Sequence, residues 1–163
     1  MVATTGGFTS AGLELEAKTL MLASLSQAEA LEIGEIAVSM GRARKAPIAI
    51  EVKMGQWSVF HASLPGSTPE NDSWIARKAR VVQATGRSTM HERVEAEERG
   101  VDWYVEKGLP EELHAIHGGA LALNVSGLGC VGALIISGLP QVDDHLFAVE
   151  VVTEFLARKG EQQ

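Results

Sequence analysis

The sequence predicts an α/β (α+β) fold: one largely antiparallel sheet with helices packed on both of its faces. Three observations carry this. Residues 48–64 and 120–137 each read as two short strands joined by a tight turn, and consecutive hairpins pair antiparallel. Segments with helical spacing precede, separate and follow the hairpins. Residues 113–142 contain no Lys, Arg, Asp or Glu, although these types make up 21% of the chain. A charge-free run of that length is core, because at the surface it would leave a large apolar patch in water. Strands that are apolar on both faces need a helical layer on each.

The elements follow in order. Residues 1–11 are rich in Gly, Thr and Ser and read as a flexible N-terminus, with residues 12–163 forming one domain. Residues 13–25 fit either a helix or a short strand followed by a helix. Ser26 and Glu29 form a capping box for a helix to about Lys45, with Ala30, Ile33, Ala37 and Met40 on one face. Arg42, Arg44 and Lys45 offset the dipole at its end. Pro47 stops it. Ile48, Ile50, Val52 and Met54 then alternate with Ala49, Glu51 and Lys53 as a strand, and Gly55-Gln56 suits a type II′ turn into a second strand, residues 57–64. Thr68 and Pro69 open a helix to about Gly86 that buries Ile75, Ala79 and Val82.

Thr89 and Glu92 suggest a second capping box, for a helix ended by Gly100, and a short helical turn ends at Gly108. In the second hairpin Leu121, Leu123 and Val125 share one face, with Ala120, Ala122 and Asn124 on the other. After a turn at residues 126–129, Val131, Ala133 and Ile135 alternate with Cys130, Gly132, Leu134 and Ile136. Both strands read as central, and their small residues permit close approach of a helix. Pro140 begins a last helix with Leu146, Val149, Thr153 and Leu156 in one stripe, widened by Phe147, Val151 and Phe155.

Composition narrows the function. A net charge of −7 repels a phosphate backbone and argues against nucleic-acid binding. Cys130 is the single cysteine, which excludes an internal disulfide. Its neighbours make it a buried small hydrophobe, in keeping with a reducing compartment. Neither a signal peptide nor a run of about 18 apolar residues is present, so a cytoplasmic protein without membrane contact is expected. Arg77, Lys78, Arg80 and Arg87 give a local +4 between Trp74 and Met90. Residues 92–112 carry eight acids against three cations, a local −5. Opposite neighbouring charges of this kind suit self-association or a solvated surface.

Three motifs point further. Asn71-x-x-Trp74-x-x-Arg77-Lys78, then His117-Gly118-Gly119, and most specifically Ser137-Gly138-Leu139-Pro140-Gln141-x-Asp143-Asp144-His145 resemble the UPF0303 family, within the wider group of haem-degrading (DUF336, GlcG/HbpS-like) domains. The resemblance covers about residues 26–158. It implies a profilin-like fold with about five antiparallel strands between helical layers, a homo-oligomer, and a possible haem or related cofactor. Where the family commonly has HGGGFPI, this chain has HGGALAL.

The candidate ligand-binding residues are accordingly Trp74, Arg77, Lys78, His117, Gly118, Gly119, Asp144 and His145. No catalytic residue is assigned, and enzymatic activity is left open. Haem needs an apolar slot, an axial ligand and cations for its propionates. His61, His91, His117 and His145, with the four cations of residues 77–87, supply those parts at no fixed spacing. A structural role is the default for His145, and Asp143 and Asp144 can simply offset a helix dipole. His114 and His117 are spaced for one metal only on a helix, so no metal site is expected. The expected partners are a second copy of the chain and a small anionic or haem-like ligand. The alternative is an oligomeric interaction or scaffold protein with no ligand.

Overall fold

The computed structural model describes residues 5–162. Part of the expected flexible N-terminus, residues 1–4, lies outside them. Thr5 is already buried, and helix α1 (Ser10–Thr19) starts inside that stretch, capped by Thr9, whose hydroxyl accepts the Gly12 N–H at 3.0 Å. The remaining helices are α2 (Gln27–Ala43), α3 (Pro69–Thr85), α4 (Thr89–Arg99), α5 (Trp103–Lys107) and α6 (Gln141–Glu161). The strands are β1 (Ala49–Met54), β2 (Trp57–Ser63), β3 (Ala120–Val125) and β4 (Gly129–Ser137).

The four strands form one antiparallel sheet in the order β2-β1-β4-β3. This is one strand fewer than the family resemblance implied. A single parallel bridge, Leu22 to Val125, stands where a fifth strand would lie, because α1 takes up most of residues 13–25. The order also places β3 at an edge, so only one strand of the second hairpin is central.

Each sheet face has its own helical layer. Ile50, Val52, Leu123, Leu134 and Ile136 pack under α2 and α6. Ala49, Ala120, Ala133 and Ile135 pack against Ile75, Ala79 and Val82 of α3, and three of those four sheet residues are alanines that let α3 come close. The expected turn chemistry holds at Gly55, with φ 57°. Gln56 does not share that sign, as type II′ requires. Ser26 and Glu29 make their capping box, and Gly86, Gly100 and Gly108 end their helices in the left-handed conformation.

Three local expectations are corrected. The N-cap of α4 is Ser88, which accepts the His91 N–H at 3.1 Å. Thr89 is instead buried and takes the Ala120 N–H at 3.1 Å, while the buried Glu92 accepts from the Trp103 indole at 2.8 Å. Cys130 is exposed rather than buried, because the β3–β4 turn projects beyond the helical layers and also leaves Leu128 75% exposed. In α6 the buried face is Phe147, Ala148, Val151, Val152 and Phe155, rotated from the expected stripe so that Leu146 and Thr153 face outward.

Candidate functional site

The first turns of α3, the C-terminal end of β4 and the first turn of α6 converge on a cleft of about 300 Å³. Trp74, Lys78, His117, Ser137, Gly138 and Asp144 are among its walls. Its floor is a buried ion pair. Lys78 Nζ lies 3.1 Å from Asp144 Oδ2 and donates to the Ile136 carbonyl at 3.0 Å, with both side chains 3% exposed. The other Asp144 oxygen accepts the Leu139 N–H at 3.0 Å, and the Gly138 amide also donates to this carboxylate. Burial pushes the Lys78 ammonium down and the Asp144 carboxyl up, and the attraction between the two opposes both shifts. With the Ile136 carbonyl aimed at the ammonium and the Gly138 and Leu139 amides at the carboxylate, the charges are held in one geometry.

Two glycines bring the sequence motifs together. Gly119 has φ 130°, and a Cβ there would fall 2.4 Å from the Ile136 carbonyl oxygen and 2.7 Å from Lys78 Nζ. At Gly118 a Cβ would meet the Gln141 carbonyl oxygen and Met90 Cε, each at 2.5 Å, and the Gly118 amide donates to the Gln141 side chain at 3.3 Å. Only bare backbone fits at either position. The His117-Gly118-Gly119 segment is thereby pressed against the start of α6.

His117 forms one side of the cleft, edge-on to Trp74 with ring centroids 4.7 Å apart. Its Nδ1 is buried without a hydrogen-bond partner. Burial first, and then the positive charges of Arg93, Lys78 and Arg77, hold its pKa to about 4. The ring is therefore neutral at physiological pH. Arg77 does not line the cleft. It stacks over Trp74 at 4.6 Å and donates to the carbonyls of Glu111 at 2.7 Å and His114 at 3.4 Å, fixing the indole and the chain that leads to His117.

His145 also lies outside the cleft. It is fully buried on another side of α6, where its Nε2 meets Glu16 Oε1 at 2.8 Å and Phe8 lies edge-on at 5.1 Å. Residues absent from the candidate set also enter the cleft wall: Glu70, Asn71, Ser137, Gly138, Leu139 and Gln141. All but Glu70 belong to the quoted motifs, so their signal was present in sequence. Asn71 accepts the Thr68 N–H at the start of α3 at 2.8 Å and donates to Ser137 Oγ at 3.4 Å, tying helix to strand. Glu16 had no such signal, lying 129 residues from His145.

The other candidate groups are engaged elsewhere. His61 pairs with Asp72 at 2.8 Å, and His114 bonds the Pro110 carbonyl at 3.0 Å, away from His117. The opposite charge runs meet at Arg87, which pairs with Glu95 at 2.7 Å and Glu92 at 3.4 Å, whereas Arg93 pairs with Glu97 at 3.2 Å inside the acidic run and Arg80 donates to the Leu113 carbonyl at 3.0 Å.

Residues 25–153 match the family described as haem degrading protein HbpS-like. The chain belongs to that family. Within it the UPF0303 resemblance is confirmed: a UPF0303 protein of Streptomyces avermitilis is 39% identical over 146 residues, 90% of each chain. The crystal structure of Ybr137w protein superposes with a TM-score of 0.83 at 24% identity, covering 91% of this chain and 88% of that one. A PduOC:Heme complex superposes with a TM-score of 0.63 at 21% identity, covering 78% and 94%. At these identities the two structures show a shared fold. Among the described residues no helix is long and apolar enough to cross a membrane.

Proposed function

We propose that this chain is a small-molecule-binding protein, that its ligand enters the His117 cleft, and that haem or a related tetrapyrrole is that ligand. The observation that carries the reading is a neutral imidazole on the wall of a cleft, edge-on to an indole. Haem requires a neutral nitrogen ligand, apolar walls and cations near its propionates. His117, and Trp74 with Leu139, match the first two needs in kind, and the positive charges of Arg93, Lys78 and Arg77 are close enough to act on the His117 ring. Membership of the HbpS-like family supports the same ligand. His117 would hold the iron, which would supply the chemistry of the bound group, while Lys78 and Asp144 keep the cleft floor rigid.

The cleft is at the small end of ligand sites, which run from about 300 to 1,000 Å³. A macrocycle therefore extends past its rim. In this reading the working form is a homo-oligomer of residues 12–163, and a neighbouring subunit shields the part of the ligand that one chain leaves open.

Titrating the purified protein with hemin tests both parts. A saturable Soret shift is expected for the native chain and for His61→Ala, whose histidine lies elsewhere, and it should be lost or strongly weakened in His117→Ala. Light scattering on the same samples should give a mass above that of one chain. An unchanged Soret response in His117→Ala would remove haem ligation from this site, and a one-chain mass at saturation would remove the shared rim.

A further inference from the structure

A second cavity, of about 450 Å³, lies at the β3 edge of the sheet. Glu14 and Glu16 of α1 roof it, Ala122 and Asn124 of β3 form its floor, and Arg87 and His91 close one wall. The register of β3 decides what the floor presents. The Ile136 N–H donates to the Gly119 carbonyl at 2.8 Å, which makes Ala120 and Ile135 a pair without mutual hydrogen bonds. Alternation then makes Ala122 and Ala133 a pair of the same kind. The N–H and C=O of Ala120 and Ala122 thus point away from β4.

The neighbouring outward groups are bonded. The Ala120 N–H goes to Thr89 Oγ1 at 3.1 Å, and the Asn124 carbonyl takes the Leu22 N–H at 2.8 Å. Between them, no hydrogen bond among the described residues uses the outward N–H or C=O of Ala122. One donor and one acceptor, spaced as in an extended strand, therefore face the cavity unpaired. Unpaired backbone groups of an edge strand are a template for pairing with another amide.

The charge around them is net negative, Glu14 and Glu16 against Arg87. Arg87 is engaged by Glu95, Glu92 and His91. Burial and the adjacent Arg87 hold the His91 ring toward its neutral form. Glu14 and the second oxygen of Glu16 remain, with Leu13, Ala17 and Leu20 as apolar surface beside them.

We propose that this cavity is a second binding site, for a small amide that carries a cation. The amide pairs with both backbone groups of Ala122, an aliphatic stem lies along α1, and an ammonium or guanidinium faces Glu14 and Glu16. This site is separate from the His117 cleft and does not depend on haem binding.

The probe is N-acetyl-lysine methylamide, with N-acetyl-norleucine methylamide as its uncharged analogue, titrated by calorimetry and by amide NMR. The lysine probe should bind saturably and move the Ala122 amide proton downfield. Glu14→Gln and the norleucine analogue should each weaken binding about threefold, the size of a solvent-screened charge pair. Ala122→Pro removes an N–H that takes no part in the ladder, a change an edge strand tolerates. It should weaken binding about tenfold, the worth of one hydrogen bond, with an unchanged circular dichroism spectrum. His117→Ala should leave the affinity as it was. Absence of saturable binding, an unmoved Ala122 amide proton, or loss of binding in His117→Ala would each overturn the proposal. Should Ala122→Pro fail to fold, the native Ala122 shift and Glu14→Gln decide it.

Discussion

His117 and His145 stand near the two ends of the same apolar stretch, and the molecule treats them in opposite ways. His117 borders a cleft, where burial and nearby cations keep its ring neutral, and an unpaired buried Nδ1 is common to both rings. His145 is sealed between α6, Phe8 and Glu16, where it anchors α1. The divider is Asp144, next to His145 in sequence. Successive helical residues point about 100° apart, so Asp144 turns into the cleft floor while His145 turns away from it. Adjacent residues of one motif thus serve a site and a scaffold, and the neighbour in sequence does not tell which.

The largest effect is expected at the divider itself. Removing one member of a buried ion pair leaves the other uncompensated, at a cost of about 3–5 kcal/mol. Asp144→Ala should lower the urea midpoint accordingly, and the double variant Lys78→Met with Asp144→Leu should regain much of the loss. If Asp144→Ala unfolds like the native chain, the pair does not hold the cleft floor.

On the His145 side the expected effect is smaller and local. Glu16→Ala strands a buried histidine nitrogen and should cost about 1–3 kcal/mol. Hydrogen exchange should accelerate in α1 and remain slow at residues 117–119. Acceleration in both places would mean that the two regions are coupled.

On the His117 side the signature is a pH dependence. The folded-state pKa lies below the ordinary 6.5, at about 4, so the unfolded chain takes up this proton first as pH falls. Stability from this group is therefore complete above about 6.5 and declines toward 4. His117→Phe should flatten that part of the stability profile relative to the native chain, while His61→Ala should not. An NMR titration of the His117 ring with a midpoint near 6.5 would contradict the desolvated cleft.

Much of the fold was legible because local chemistry and tertiary need agree. Alternation in residues 48–54 and 130–136, the Ser26 cap and the terminal glycines at 86, 100 and 108 each demand the structure that they adopt. Position within the sheet was less legible. β3 is apolar on both faces like a central strand, and only the order β2-β1-β4-β3 shows it to be an edge. Cys130 misled because its apolar neighbours form a projecting turn, a matter of where the helical layers stop. At α4, Ser88 and Thr89 are both good caps, and the choice fell to Ser88 because Thr89 is needed by the Ala120 amide. The site was legible as motifs but not as a partition. Gly118, Gly119 and Asp144 come together in the fold, which their motifs alone left open, and the partner that removes His145 lies 129 residues away on a helix that the sequence left ambiguous.

The central claim is that ligand binds on the His117 side of this division. The most direct measurement is an amide NMR titration with a diamagnetic metalloporphyrin. Shifts should concentrate at Trp74, residues 117–119 and residues 137–141, with α1 and His145 nearly unmoved. Shifts centred on Glu16 and His145, with residues 117–119 unchanged, would contradict it.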